Sequence, residues 1–285
     1  MQTTLITGAS SGIGESLAGH FAAGGSRLVL VARSEQKLKQ IARQVESLHS
    51  VEVSVETADL SRRGAAKKLA AALKARGIPI DTLVNCAGVL EHGSFVDNGP
   101  VAHRQILDLN ISGLTSMLDE FLPGMVERGA GRVLNVASIA SFQPVPSLAV
   151  YAASKAYVLS LTESLSEELK GTGVTVTALC PGLTATNMLN SAQQKSGGLN
   201  VPGFMIGDVD DVARQGYKAC MAGEVICVPG AINLAVTLGS RAAPKWLLRR
   251  VSGLLPALSM IDRRGAPSPV LGRLHLEGAP LVEVC

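Results

Sequence analysis

The chain has 285 residues, of which 47% are hydrophobic and 17% are charged, and its formal net charge at pH 7 is +3. This composition supplies ample material for a buried core and excludes a disordered protein, and the small, evenly spread charge gives no reason to expect a nucleic-acid partner. The length suits one large α/β domain.

Cysteine and histidine usage predicts neither a disulfide framework nor a metal site. The five cysteines are widely spaced without a C-x-x-C pair, and the five histidines are isolated. A strand-like run begins at Thr3 and leaves no room for a signal peptide, and no apolar stretch has the length to span a bilayer. We therefore expect a cytoplasmic protein without a metal.

Short apolar runs alternate with longer helical patterns over residues 1–230. This alternation predicts a single domain with a Rossmann-type doubly wound α/β fold, in which helices cover both faces of a seven-stranded parallel sheet. The predicted strands are Thr3–Thr7, Arg27–Val31, Glu52–Val55, Thr82–Asn85, Arg132–Val136, Val174–Leu179 and Val225–Val228. The predicted helices are Gly12–Ala23, Glu35–Ser47, Arg62–Ala75, His103–Glu127, Val150–Lys170 and Asp208–Met221, with N-caps at Ser34, Ser61 and Asp208.

The first predicted strand runs directly into a glycine-rich turn and then into a helix. A pyrophosphate needs close backbone approach, free N–H donors and the positive end of a helix, which glycines in this position permit. The strand–turn–helix context favours a dinucleotide site over an ordinary glycine-rich connection. The predicted contacts in the turn are Gly8, Ser10, Ser11, Gly12, Ile13 and Gly14.

The spacing G-x-x-x-G-x-G, preceded by Thr7, resembles the T-G-x-x-x-G-I-G signature of the short-chain dehydrogenase/reductase superfamily. Further matches follow in register as far as about residue 230: Asp59-Leu60, Asn85-Cys86-Ala87-Gly88, Asn110, Ser138, Tyr151-x-x-x-Lys155, and Pro181-Gly182 with Thr186. Cys86 is a departure, because the family usually has a second asparagine there. The resemblance implies reversible hydride transfer between a nicotinamide cofactor and the carbonyl or alcohol carbon of a small molecule.

The end of the second predicted strand indicates which nicotinamide cofactor binds. An NAD enzyme usually has an acidic residue there, whereas this chain has Ala32-Arg33-Ser34. The Arg33 guanidinium can pair with a 2′-phosphate and Ser34 can add a hydroxyl contact, so we predict NADP(H); the alternative is that Arg33 is a solvated strand-end charge. The resemblance assigns further cofactor contacts to Asp59, Leu60, Asn85, Ala87, Gly88, Tyr151, Lys155, Pro181, Gly182, Leu183 and Thr186. For Asp59, a helix cap is the alternative.

Tyr151 and Lys155 lie four residues apart in a predicted helix, so their side chains project from one face. A free tyrosine has a pKa of about 10, and a nearby ammonium lowers it by favouring the phenolate. We predict that Tyr151 is the general acid and base. The resemblance implies that Lys155 holds the nicotinamide ribose hydroxyls and that Ser138 hydrogen-bonds the substrate oxygen. It also implies that Asn110 positions a water that relays protons toward Lys155. Taken singly, each has a structural alternative, such as a turn hydroxyl or a buried amide.

Three later regions complete the expectations. Residues 185–207 are predicted to be a substrate loop, and with Ile139–Leu148 they suggest an apolar ligand, such as a 3-oxoacyl compound, a ketosteroid or an aldehyde. Residues 231–261 form a basic amphipathic extension that packs on the loop or on a neighbouring subunit, or contacts a membrane surface. Residues 262–285 are expected to be a loosely ordered tail.

Relatives often form homodimers or homotetramers through the helices that correspond to residues 103–127 and 150–170. A catalytically silent dinucleotide-binding regulator of the same fold is the competing function, since a fold does not by itself fix an activity.

Overall fold

The computed structural model describes residues 2–184, 207–231, 233, 234, 237 and 239, and the backbone of residues 283 and 284. Its centre is a seven-stranded parallel sheet with strand order β3-β2-β1-β4-β6-β7-β8. The strands are β1 Thr3–Thr7, β2 Arg27–Ala32, β3 Val53–Thr57, β4 Thr82–Asn85, β5 Gly88–Val89, β6 Gly131–Val136, β7 Val174–Leu179, β8 Ile226–Cys227 and β9 Glu283–Val284. The predicted fold class is confirmed.

Helices connect the strands on both faces of the sheet. They are α1 Gly12–Ala23, α2 Glu35–His49, α3 Ala65–Ala75, α4 Phe95–Leu107, α5 Leu114–Glu127, α6 Ala149–Glu168 and α7 Val209–Ala222. A π-helical turn, Asp108–Gly113, joins α4 to α5, and a short 3-10 turn, Ile139–Phe142, follows β6.

The order of the strands reverses between β1 and β4, which are hydrogen-bonded neighbours although β2 and β3 lie between them in sequence. In open α/β sheets, the carboxyl ends of the strands at such a reversal border the ligand crevice. The turn that follows β1 and the segment that follows β4 therefore lie side by side at this edge.

Two buried layers hold the sheet, because successive strand residues point to opposite faces. Leu5 of β1 belongs to the layer that includes residues of α3, α5 and α6, and Ile6 belongs to the layer that includes residues of α1, α2 and α7. Residues of the central strands are fully buried on both sides, which explains why these strands read as continuous apolar runs.

The predicted strands are present with ends that differ by no more than two residues, but two helix predictions were wrong. The predicted helix His103–Glu127 is two helices interrupted by the π-helical turn, and the first of them begins at Phe95, where Ser94 accepts a hydrogen bond from the Asp97 N–H (3.2 Å). Helix α3 begins three residues later than predicted. Its N-cap is Gly64 instead of Ser61, because the Ser61 hydroxyl and N–H both donate to Asp59.

The other two cap positions are confirmed, with one difference. Asp208 accepts from the Asp211 N–H (2.9 Å), whereas Ser34 stands at the N-cap of α2 without a side-chain capping bond.

The predictions for residues 185–206, for most of 231–261 and for most of 262–285 lie outside the described residues. Within the last range, Glu283 and Val284 form β9, which pairs antiparallel with β5. No helix in the described part of the chain combines the length and the hydropathy that a bilayer crossing requires.

Candidate active site

The turn between β1 and α1 has a backbone that only glycine accommodates easily. Gly8 and Gly12 have φ angles of 68° and 58°, in the left-handed region that side chains disfavour. A Cβ on Gly14 would lie 2.5 Å from the Gly8 carbonyl oxygen. Steric constraints therefore favour glycine at all three positions: the backbone conformation at Gly8 and Gly12, and the close packing at Gly14.

The first turn of α1 points its N–H groups at this crevice. Ser11 is the N-cap residue, but its side chain makes no capping hydrogen bond, so the early N–H groups of the helix have no side-chain acceptor at that position. Free N–H donors and the positive helix end suit a bound phosphate, and Ser10, 6% exposed, lies at the base of the turn. These residues fit the pyrophosphate of a dinucleotide.

Thr7 joins this turn to the segment after β4, a role that was not predicted. Its hydroxyl donates to the Val84 carbonyl (3.2 Å) and accepts from the N–H groups of Cys86 and Ala87 (both 3.0 Å). One buried side chain thus sets the distance between the two edges of the crevice. The sequence signal for this role was the position of Thr7 directly before Gly8, the first glycine of the motif.

Asp59 lies at the end of the crevice near Arg33. Burial alone would raise the pKa of Asp59, but hydrogen bonds from Ser61 and Arg62 and the charge of Arg33 outweigh it and hold the pKa below its ordinary value. Asp59 caps the turn at residues 59–62 and does not cap α3, so the alternative interpretation as a helix cap was wrong. Ser34, whose hydroxyl makes no capping bond, lies beside Arg33 at the start of α2.

Three predicted cofactor residues, Leu60, Asn85 and Ala87, line the same small opening behind the turn, together with Thr7 and residues of the π-helical turn and α5. The Asn85 side chain is turned into the sheet, where its Nδ2 donates to Asn135 Oδ1 (3.0 Å). Its Oδ1 is buried without a hydrogen-bond partner in the described part of the chain. An unsatisfied buried acceptor is costly, so this atom suits a donor from a ligand or water.

Asn110 lies in the π-helical turn, is 1% exposed, and ties that turn to β5. Its Oδ1 accepts from the Val89 N–H (2.8 Å), and its Nδ2 donates to the Val89 carbonyl (2.9 Å) and to Ser154 Oγ (3.1 Å). Both of its amide protons are used. Any contact with a water must therefore use the second lone pair of Oδ1 or the Asn110 backbone.

Tyr151 and Lys155 are both buried in α6, at 6% and 4% exposure. The Lys155 ammonium donates to the Val136 carbonyl at the end of β6 (2.8 Å) and lies 5.8 Å from the centre of the Tyr151 ring. The strand end thus fixes the ammonium beside the phenol, as the four-residue spacing predicted.

Ser138 follows β6 and caps the 3-10 turn. Its Oγ accepts from the Ala140 N–H (3.1 Å), which leaves the hydroxyl proton available for donation to a ligand oxygen. The N–H of Ile139 donates to the Pro181 carbonyl (2.9 Å), so this turn also holds the segment after β7. A Cβ on Gly182 would lie 2.5 Å from Nδ2 of Asn233, so a side chain at this position would require the Asn233 side chain to shift.

The two ends of the predicted substrate loop lie next to each other in the described part of the chain. Thr184 pairs with Gly207 in a parallel bridge, and the Gly207 N–H donates to the Leu183 carbonyl (2.7 Å). Leu183 is 38% exposed at this point. Thr186 lies outside the described residues.

An apolar cluster surrounds Tyr151. It consists of Ala140, Tyr151 and Ala152, with Leu90, Val145 and Leu148 packed against them. Val145 was predicted as a substrate wall, whereas Phe142 packs on the main core instead. Leu148 also belongs to the predicted range Ile139–Leu148, whereas Leu90, two residues after Gly88, was not predicted.

Cys180 precedes Pro181 and is fully buried. Burial raises the pKa of the Cys180 thiol to about 12, so the side chain is neutral at physiological pH. It packs in the core instead.

Comparison with known proteins agrees with this geometry. The sequence model of the family described as short chain dehydrogenase matches residues 2–197, so the chain belongs to that family, which is the superfamily that the sequence resembles. It is an enzyme of a family of oxidoreductases that bind NAD(P)(H), act on small molecules and commonly oligomerise.

Individual relatives cover most of the chain. An uncharacterized oxidoreductase from Staphylococcus saprophyticus is 34% identical over 65% of this chain and 79% of its own. The very-long-chain 3-oxoacyl-CoA reductase of Rattus norvegicus is 29% identical over 85% of this chain and 76% of its own. A short-chain dehydrogenase from Sphingobium yanoikuyae, solved in complex with NADPH, is 28% identical, with a TM-score of 0.75 over 96% of this chain and 100% of that one.

Proposed function

We propose that the protein is an NADPH-dependent reductase that converts a ketone or aldehyde to an alcohol, reversibly, with Tyr151 as the general acid and base. The observation that carries the proposal is the buried pair in α6, in which the Lys155 ammonium lies 5.8 Å from the Tyr151 ring and is held by the Val136 carbonyl. A positive charge fixed beside a phenol favours loss of its proton. Proton transfer to and from Tyr151 is therefore feasible near neutral pH.

The chain's other residues then have defined tasks. NADPH supplies the hydride when it is bound. The Ser138 hydroxyl, which still has a proton to donate, hydrogen-bonds the substrate oxygen and orients it toward Tyr151. Tyr151 delivers its proton to the oxygen as negative charge develops there, and Lys155 stabilises the phenolate that remains. Asn110 supports the proton path through the atoms that its contacts with Val89 and Ser154 leave available.

The choice of NADP(H) over NAD(H) is supported by Arg33 and Ser34 at the end of β2. Arg33 is exposed at the crevice and close enough to Asp59 to lower its pKa, and Ser34 has a hydroxyl that caps nothing. A guanidinium and a hydroxyl suit a 2′-phosphate. The bound NADPH of the Sphingobium yanoikuyae structure supports the same choice.

An apolar carbonyl compound is the proposed substrate class. The support comes from the cluster of Leu90, Val145 and Leu148 around Tyr151, and from the rat relative that is named as a 3-oxoacyl-CoA reductase. A homodimer or homotetramer remains our proposal for the assembly.

The experiment is a screen for NADPH oxidation with 3-oxoacyl thioesters, ketosteroids, simple ketones and aldehydes, run in parallel with NADH. We expect turnover with at least one apolar carbonyl class and a preference for NADPH. Cofactor binding without consumption of NADPH on any of these classes would instead favour the silent dinucleotide-binding regulator.

A further inference from the structure

The start of the catalytic helix has little local support. The N-cap position of α6 is Leu148, which makes no side-chain capping bond, and the first turn contains no acidic residue to complement the helix dipole. Ser147, just before it, has a φ of 65°, an unusual conformation for a residue other than glycine. Tyr151 is the third residue of this helix. The turn that carries the proposed acid and base must therefore be held by contacts from elsewhere.

Ser154 supplies such a contact. It is fully buried, its hydroxyl donates to the Tyr151 carbonyl (2.7 Å), and the same oxygen accepts from Asn110 Nδ2 (3.1 Å), 44 residues away in sequence. Asn110 in turn holds both backbone groups of Val89. One continuous set of hydrogen bonds thus joins β5, the π-helical turn and the Tyr151 turn.

We propose that Ser154 is a positioning residue for the reaction. Its hydroxyl ties the first turn of α6 to Asn110 and thereby fixes the position of Tyr151 in the active site. It touches neither substrate nor cofactor in this role. The inference rests on the proposed function, because its effect on rate requires Tyr151 to be the acid and base. Shifts of about 1 Å in a reacting group can cost 10²-fold in rate, so a small loss of support here has a measurable effect.

The same helix contains a matched control. Thr162 is also fully buried, its hydroxyl donates to the Val158 carbonyl (2.8 Å), and it accepts from Asn135 Nδ2 (3.0 Å). This arrangement repeats that of Ser154 and Asn110, but two helical turns farther from Tyr151. Removing either hydroxyl leaves a buried amide proton without its acceptor, so both changes should lower stability. Only the loss at Ser154 should move Tyr151.

The test compares Ser154→Ala with Thr162→Val in the full chain. We expect both variants to melt at lower temperature than the parent. Ser154→Ala should lower kcat by about tenfold or more while KM for NADPH changes by less than about threefold, because the defect lies in placing the proton donor. The pH at which alcohol oxidation reaches half its maximum should move upward, because a displaced Tyr151 phenol lies farther from the Lys155 ammonium that favours its ionised form. Thr162→Val should keep kcat within about twofold.

Hydrogen–deuterium exchange provides a readout that does not depend on activity. In Ser154→Ala, amides of residues 149–156 should exchange about tenfold faster than in the parent, whereas Thr162→Val should leave them protected. Equal loss of kcat in the two variants, or an unchanged kcat and pH profile in Ser154→Ala, overturns the proposal. Where Ser154→Ala does not accumulate as folded protein, Ser154→Cys takes its place, and we again expect a larger loss of kcat and faster exchange than in Thr162→Val. If the parent reduces no carbonyl compound, the proposed function fails, and the exchange comparison alone decides whether Ser154 holds the turn.

Discussion

The phosphate-binding turn and the catalytic helix hold their functional groups by different means. In the turn, backbone conformation and close backbone contacts set the geometry. Gly8 and Gly12 have positive φ angles, and the Gly8 carbonyl lies too close to Gly14 for a methyl group there. In the helix, Lys155 donates a hydrogen bond to the Val136 carbonyl, and the turn that carries Tyr151 is tied through Ser154 to Asn110, which is distant in sequence. The turn should therefore tolerate no added atom, whereas the helix should tolerate changes of volume better than the loss of a polar partner.

The largest expected effect comes from removing the phenol itself. Tyr151→Phe keeps the ring that packs with Ala140 and Ala152 but deletes the proton donor. We expect carbonyl reduction to fall by about 10² to 10⁴-fold, the usual contribution of general acid–base catalysis, with NADPH affinity nearly unchanged. Steady-state kinetics and fluorescence titration with NADPH measure the two quantities. Undiminished turnover would refute the assigned role.

The next largest effect tests the turn. Gly14→Ala places a Cβ 2.5 Å from a backbone oxygen that has no freedom to move aside. Overpacking of this kind costs on the order of 1–3 kcal/mol, which corresponds to a rise in the Kd for NADPH of about 5- to 150-fold if the strain falls on the bound geometry.

Gly19→Ala is the matched control for that substitution, because a Cβ there meets nothing within 4 Å in the same helix. It should leave the Kd unchanged and stabilise the protein by about 0.5–1 kcal/mol, as expected for alanine in place of a helical glycine. Equal Kd values for the two variants would show that the turn is not limited by space.

This difference between the two regions also explains what the sequence could predict. The glycine turn, the strands of the sheet and the Tyr151–Lys155 spacing depend on local pattern, and the structure contains them nearly as predicted. The hydrogen-bond partners of buried polar residues carry no such local signal. Nothing in the sequence around Ser154 indicates Asn110, and nothing around Thr162 indicates Asn135.

The interrupted helix was missed for a related reason. Helical spacing continues through residues 103–127, so the pattern predicts one element. The π-helical turn is where Asn110 bonds β5 and where Gly113 packs so closely that a Cβ would lie 2.7 Å from the Leu60 carbonyl. Tertiary contacts decide the local geometry there, and periodicity does not report them.

A third prediction extends the comparison to the far end of the crevice, where recognition depends on a side chain. Arg33→Ala should raise KM for NADPH by about tenfold or more, the usual scale for a charged hydrogen bond, and leave KM for NADH nearly unchanged. Arg43→Ala, at an exposed position of α2, is the control and should alter neither value. A parallel loss for both cofactors would mean that Arg33 supports the fold instead of the 2′-phosphate.

The smallest expected effect concerns Asp59, whose carboxylate holds its turn through Ser61 and Arg62. Because the folded-state pKa of Asp59 lies below the ordinary value of 3.8, its ionised form stabilises the fold at pH above that value, and the contribution is lost as the pH falls through the folded pKa. Asp59→Asn should therefore cost about 1 kcal/mol at neutral pH. Its difference from the parent should shrink as urea unfolding is repeated from about pH 5 toward pH 3, because only the parent carboxylate titrates. A difference that is constant over this range would show that Asp59 acts through hydrogen-bond geometry and not through its charge, and the far end of the crevice would then resemble the glycine turn more than the catalytic helix.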